Sequence, residues 1–240
     1  MTYGFIVPVY NHGSTLDFVV RQLVPYGFPV IVVDDGNDSE NRAYISAVAA
    51  AYPQVVLVTR RKNGGKGKAL RDGVKKAYEL GLTHIFQIDS DGQHDTGRIS
   101  HFLEMSRKNP DAVICGFPEY EEDAPLSRVK GRNIANKWIH IVTLSDGIKD
   151  GMIGFRIYPV EPYYALIRRH AFIDGRMGCD IEVLVRLSDG RRRTGCASVV
   201  QLPVPARHQR LPCHQYHSES KTLSRRRLYR LCQSLLWRWQ

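Results

Sequence analysis

Residues 84–95 read HIFQIDSDGQHD. An apolar run reaches Ile88 and stops at Asp89-Ser90-Asp91, followed by a glycine, Gln93, His94 and Asp95. Carboxylates this close repel and raise each other's pKa unless a positive group sits among them or water screens them. Two acids at i and i+2 of an extended segment point the same way. Paired hard oxygens suit Mg2+ or Mn2+, which accept one or two carboxylates and fill their remaining positions with phosphate oxygens and water. Gln93 would add a neutral oxygen. The competing reading is a set of turn-forming aspartates open to water. The place of the motif, at the end of a buried strand, favours the metal.

Working outward, the first 116 residues alternate two periods. YGFIVPVYN, PVIVVDDG, VVLVTR, HIFQIDSDG and DAVICGF read as strands. Between them, STLDFVVRQLVPYG, SENRAYISAVAAAYP, GKGKALRDGVKKAYELG and TGRISHFLEMSRKNP read as helices, the first capped by Ser14 or Thr15 and the second by Ser39. Continuous apolar strands alternating with helices imply a mostly parallel sheet covered on both faces, an α/β fold. Function in such sheets lies at the strands' carboxyl ends. Four chemically loaded segments fall there: NHGS, DDGND, RRKNGGKGK and DSDGQHD.

Asp34 and Asp35 end a buried strand. There an acid can accept from a ribose hydroxyl or a base N–H, or serve as a turn or cap residue. Residues 63–68, NGGKGK, open a helix. Glycines let the backbone approach an anion, the helix N-terminus favours negative charge, and Lys66 and Lys68 add point charges. The alternative is a surface turn with solvated lysines. The segment lacks GxxxxGK[ST] and is no P-loop.

In order and spacing, PVYN (8–11), VVDDG (32–36), NGGKGKA (63–69), DSDGQHD (89–95) and GFR (154–156) resemble family 2 glycosyltransferases, most of all the branch that transfers sugars to dolichyl and other polyprenyl phosphates. The resemblance covers roughly residues 3–187 and implies a GT-A fold, Rossmann-like, with a nucleotide-sugar half (1–116) and an acceptor half (117–187). It implies a nucleotide-sugar donor, a lipid-linked or glycan acceptor, inversion, and Mg2+ or Mn2+ as cofactor. Pro8, Tyr10 and Asn11 would line the nucleoside side, with Asp34 or Asp35 on the nucleoside and Lys66 near the phosphates. Asp89 and Asp91 would hold the metal, with Gln93 as a further ligand. Arg128, Arg132 and Arg156 become candidates for an anionic acceptor, since arginine suits phosphate. Asp180, in RMGCDIE, would act as base or orient the acceptor if the acceptor is a hydroxyl.

Composition is that of a globular protein: 43% hydrophobic and 24% charged. No apolar run approaches the roughly 18 residues of a membrane span, and MTYGFIVPVYN enters strand-like sequence without signal-peptide character. The expectation is a cytoplasmic protein, with peripheral contact at the inner membrane face as an option. The five cysteines form no CxxC pair, which speaks against a disulfide framework or zinc site. Residues 1–185 hold 22 Lys and Arg against 22 Asp and Glu, whereas residues 186–240 hold 12 against 2. The net charge of +10 therefore belongs to the end of the chain.

Residues 188–240 form an atypical basic tail that departs from the family pattern. One reading is an interfacial helix, with Leu228, Leu231, Leu235 and Trp239 on one face. The other is a shifted reading frame. Rival classes fit less well. A nucleotidyltransferase would carry its glycine-rich loop after the first strand, where this chain has NHGS. A receiver domain would carry its acidic pair there. A nucleic-acid binder is suggested by charge alone, and the neutral core gives no reason to expect nucleic acid.

Overall fold

The computed structural model describes residues 1–119, 136–137, 139–141, 148–169, 175, 178–188 and 198–205. The first strand, β1 (Tyr3–Val9), is buried along its whole length. Its side chains split between two apolar layers, with Phe5, Val7 and Val9 on one side and Ile6 on the other. That two-sided burial is what a central strand of a covered sheet requires.

Around it assemble β2 (Val30–Asp34), β3 (Val55–Thr59), β4 (His84–Gln87), β5 (Ala112–Glu119), β6 (Arg156–Pro159) and β7 (Ser198–Pro205). The order is β3-β2-β1-β4-β6-β5-β7, a single seven-stranded sheet. All pairings are parallel except those of β6, which runs antiparallel to β4 and β5. β6 is short, pairing only over Arg156–Pro159. β7 comes from the segment read as the tail and forms the edge beside β5.

Helices α1 (Gly13–Leu23), α2 (Ser39–Ala51) and α4 (Ile99–Lys108) contribute to the layer on one face of the sheet. Helices α3 (Lys66–Glu79), α5 (Val160–Arg168) and α6 (Cys179–Ser188) contribute to the other. Both expected caps shift. The N-cap of α1 is His12 and of α2 is Asp38, whose carboxylate accepts from Asn41 N. Thr15 is free for another task because Asn41 Oδ1 reaches across to accept from Gly13 N at 2.8 Å.

Arg128, Arg132, the acidic loop before them and the basic tail from 206 on lie outside the described residues. Among the described residues, no helix is long and apolar enough to cross a membrane.

Candidate active site

The site is built at the carboxyl edge of β1, β2 and β4. Past β1, Tyr10 is 44% exposed, while Pro8 is buried within the strand. Asn11 adopts a left-handed φ of 58°, a conformation asparagine tolerates better than most residues. Its N–H donates to Asn37 Oδ1 at 2.7 Å, and Asn37 Nδ2 returns to the Val9 carbonyl at 2.9 Å. The loops after β1 and β2 are thereby stitched together.

The aspartates ending β2 are both buried and fully engaged. Asp34 accepts from Asn37 N and Nδ2 at 2.9 and 2.6 Å, and Arg42 Nε lies 3.1 Å from its other oxygen. Asp35 accepts from Gly64 N at 3.0 Å and Gly65 N at 2.8 Å, with Arg60 Nε 2.9 Å away. The glycine-rich loop does cradle an anion, but that anion is the chain's own carboxylate. Gly36 makes the approach possible: its φ is 72°, and a Cβ there would lie 2.2 Å from the Lys62 carbonyl carbon.

Lys66, the first residue of α3, carries the loop's cation inward. Its Nζ stands 2.7 Å from Asp89 Oδ1 and 2.9 Å from Asp180 Oδ2, and the side chain is 11% exposed. Burial alone would lower its pKa; Asp180 and Asp89 outweigh that and hold it well above the ordinary lysine value. Burial likewise would raise Asp89, yet Lys66 and then His94 bring it below the usual carboxylate range. The positive group that DSDGQHD calls for is therefore present within the chain.

β4 ends at Gln87, earlier than the extended reading through Asp91. Residues 90–92 turn, with Gly92 at a φ of 73°. Asp91 Oδ1 accepts from Gln93 N at 3.0 Å, and both residues are half-buried. His94 Nδ1 accepts from Asp89 N at 3.3 Å, and its Nε2 faces Asp89 Oδ2 at 3.7 Å. Burial depresses the His94 pKa more than the flanking carboxylates restore it, so the ring is neutral near pH 7. The loop is tied to α1 at both ends: Thr15 Oγ1 donates to the Ser90 carbonyl at 2.6 Å, and Thr96 Oγ1 bonds Gln22.

Beneath this loop, Asp180 at the start of α6 is 3% exposed. Gln87 Nε2 donates to its Oδ1 at 2.8 Å. Arg156, cross-strand partner of Gln87, is fully buried. Its Nη1 donates to Tyr158 Oη at 3.1 Å and to the Asp180 carbonyl. Arg156 lies on the buried face of an interior strand and braces α6 from inside. Gly154 closes the wall: a Cβ there would lie 2.7 Å from Asp89 Oδ2 and 2.8 Å from Lys66 Nζ.

Gln87, His94, Thr15 and Gly154 thus join the site without having been assigned to it from sequence. Gln87 had a signal, being a lone amide in an apolar run.

Among the described residues, no three His, Cys, Asp or Glu side chains are grouped to hold a metal ion. A Mg2+-type ion needs fewer, since one or two carboxylates suffice when a diphosphate supplies further oxygens. Asp89 Oδ1 is buried and accepts no well-aligned hydrogen bond, its contact with Lys66 being a close ion pair. A carboxylate whose close partner is one lysine ammonium, two residues before Asp91 in the chain, has the chemistry to take a hard cation in that ammonium's place.

The architecture is that of GT-A glycosyltransferases. Glucosyl-3-phosphoglycerate synthase of Mycobacterium tuberculosis, solved with Mn2+, UDP-glucose and phosphoglyceric acid, superposes with a TM-score of 0.66 over 98% of this chain and 77% of its own, at 15% identity. Residues 5–176 match the family Glycosyl transferase family 2, to which the chain belongs. It is 27% identical over 180 residues to a dolichyl-phosphate beta-glucosyltransferase of Trichomonas vaginalis, covering 65% of this chain and 51% of that protein. It is 26% identical over 187 residues to the bactoprenol glucosyl transferase of Shigella phage SfV, covering 73% and 58%. The chain thus spans about half the length of these curated relatives.

Proposed function

We propose that the protein transfers a sugar from a nucleotide-diphosphate sugar to a polyprenyl phosphate or related glycolipid, with inversion and with Mg2+ or Mn2+ on the diphosphate. The observation that carries this reading is the pairing of Asp89 with the buried Lys66 ammonium just past the carboxyl edge of β4, with Asp91 two residues further on, in a family 2 chain. The acceptor class is supported by the dolichyl-phosphate and bactoprenol relatives.

In this reading Tyr10, Pro8 and Asn11 shape the nucleoside side of the crevice. Asp34 and Asp35 hold the loops that frame it. Asp89, Asp91 and Gln93 would hold the cation. When bound, such an ion stabilises the charge that develops on a leaving diphosphate. Lys66 adds a fixed positive charge in a site shielded from water, where it acts more strongly than at the surface.

A phosphate acceptor is already an anion and needs no general base, whereas a hydroxyl acceptor would need one within hydrogen-bond reach. Asp180 has both carboxylate oxygens engaged, by Lys66 and Gln87. That engagement favours the phosphate acceptor, with Asp180 as a positioning group for Lys66. Arg128 and Arg132 remain candidates to meet that phosphate, and contact with the inner membrane face follows from a lipid-linked acceptor.

The test is incubation with radiolabelled UDP-glucose, UDP-N-acetylglucosamine or GDP-mannose, undecaprenyl or dolichyl phosphate, and Mn2+. Label should pass into the organic phase from one donor, only with lipid phosphate and metal present, and NMR of the product should show the inverted anomer. A folded protein that moves no label from any donor to either lipid contradicts the proposal.

A further inference from the structure

The ammonium of Lys66 occupies the carboxylate that the proposed donor site assigns to a divalent cation. It lies 2.7 Å from Asp89 Oδ1, while Asp180, pinned by Gln87 at 2.8 Å, offers it a second seat at 2.9 Å. Gly154 walls in the pair from the β6 side, its missing Cβ leaving room for both Asp89 Oδ2 and Lys66 Nζ. The stem of Lys66 starts at the first residue of α3, behind an N-cap glycine at a φ of 92°. The Gly64 and Gly65 N–H groups preceding it are committed to Asp35. A diphosphate arriving at this loop therefore does not find those two donors and would draw on the lysine side chain.

From this geometry we infer that Lys66 is a resident counter-ion that holds Asp89 against metal until a nucleotide diphosphate arrives, making cation binding conditional on nucleotide. The inference rests on the proposed donor site. Two cations sharing Asp89 repel, so a divalent ion entering alone must displace or crowd the ammonium. A diphosphate changes the balance by offering Lys66 another anion. Asp180 keeps the lysine near when it leaves Asp89. Coupling of this kind is reciprocal: whatever nucleotide does for metal affinity, metal does for nucleotide affinity.

The experiment is titration of Mn2+ into the full chain, with free Mn2+ read by electron paramagnetic resonance, without and with saturating UDP. If UDP gives no effect, GDP takes its place. Wild type should bind Mn2+ weakly alone and much more tightly with nucleotide. Lys66→Met should bind Mn2+ alone about tenfold or more tighter than wild type, a coupling of ordinary size for linked sites, and should lose much of the enhancement by nucleotide. Lys76→Met removes an equal charge from the far end of α3, where the lysine pairs with Glu79 at 3.1 Å, and should behave like wild type. Lys66→Gln, which keeps a donor for both carboxylates, serves as second variant should the methionine form not fold, with the same direction expected.

If the Lys66 variants bind Mn2+ alone no tighter than wild type and Lys76→Met, while nucleotide still promotes metal binding in wild type, the counter-ion role is wrong and the donor site stands. If wild type binds Mn2+ with neither nucleotide, the donor site itself fails and this inference with it.

Discussion

Replacing Gly154 by alanine probes the wall of the site with a single methyl group. That methyl would sit 2.7 and 2.9 Å from the two Asp89 carboxylate oxygens and 2.8 Å from Lys66 Nζ. Each of these lies well inside van der Waals contact for a carbon atom. The colliding atoms are side-chain ends, so the fold survives, but the Lys66–Asp89 pair must open. Overpacking a well-filled interior costs about 1–3 kcal/mol. For a chain of this length each kcal/mol lowers Tm by roughly 2–4 °C, so a fall of about 2–12 °C is expected. Gly73→Ala is the matched control. Its methyl would meet Ile6 Cγ2 at 2.9 Å and Val33 Cγ2 at 3.2 Å, between α3 and the sheet and away from the carboxylates. Calorimetric melting and titration of nucleotide with Mn2+ read the two variants side by side. Both should melt lower, and Gly154→Ala alone should lose ligand affinity. Equal affinity in Gly154→Ala and wild type would refute the claim that Gly154 shapes the ion-binding wall.

Three further outcomes follow from buried polar groups. Gln87→Leu leaves Asp180 Oδ1 without its 2.8 Å donor and should cost about 1–3 kcal/mol in urea unfolding; an unchanged midpoint would show that the amide is dispensable. Asp35→Asn removes the charge opposite Arg60 and replaces one acceptor of the Gly64 and Gly65 N–H groups by a donor. Breaking a largely buried pair costs about 3–5 kcal/mol, so this variant should unfold at markedly lower urea, and wild-type stability would contradict the anion-cradle account of the loop. His84 has its pKa lowered by burial from the ordinary 6.5, so the unfolded chain binds more protons than the folded one as pH falls below that value. Its contribution to stability is whole above pH 6.5 and is lost as pH falls through the depressed folded value. His84→Gln should therefore flatten the loss of stability between about pH 7 and 5, and an identical pH profile would count against it.

The alternating architecture was legible because parallel strands buried on both faces leave unbroken apolar runs, as in β1 and β2. The limits of α1 to α4 were legible to within a few residues, while α5 and the caps of α1 and α2 were not. Those depend on Asn41 and Asp38, and serine or threonine is only one way to satisfy a first turn. The need for a cation among the aspartates could be read from HIFQIDSDGQHD, but not that Lys66 supplies one, since that contact requires the start of α3, which packs on β1 and β2, to meet the segment after β4. The partner of Gln87 lies 93 residues further along the chain, beyond the reach of any local pattern. The depth of Arg156 was not legible either: GFR carries no sign of it, and only the pairing of β6 between β4 and β5 shows that the residue is interior.

The central claim is that Asp89 and Asp91 form a metal-assisted nucleotide-diphosphate site. Calorimetric titration of UDP and GDP, each with and without Mn2+, into wild type and Asp91→Ala tests it most directly. The account predicts that one nucleotide binds wild type in a Mn2+-dependent manner and that Asp91→Ala, still folded, loses that dependence. Binding of neither nucleotide to folded wild type, or full Mn2+-dependent binding by Asp91→Ala, would contradict it.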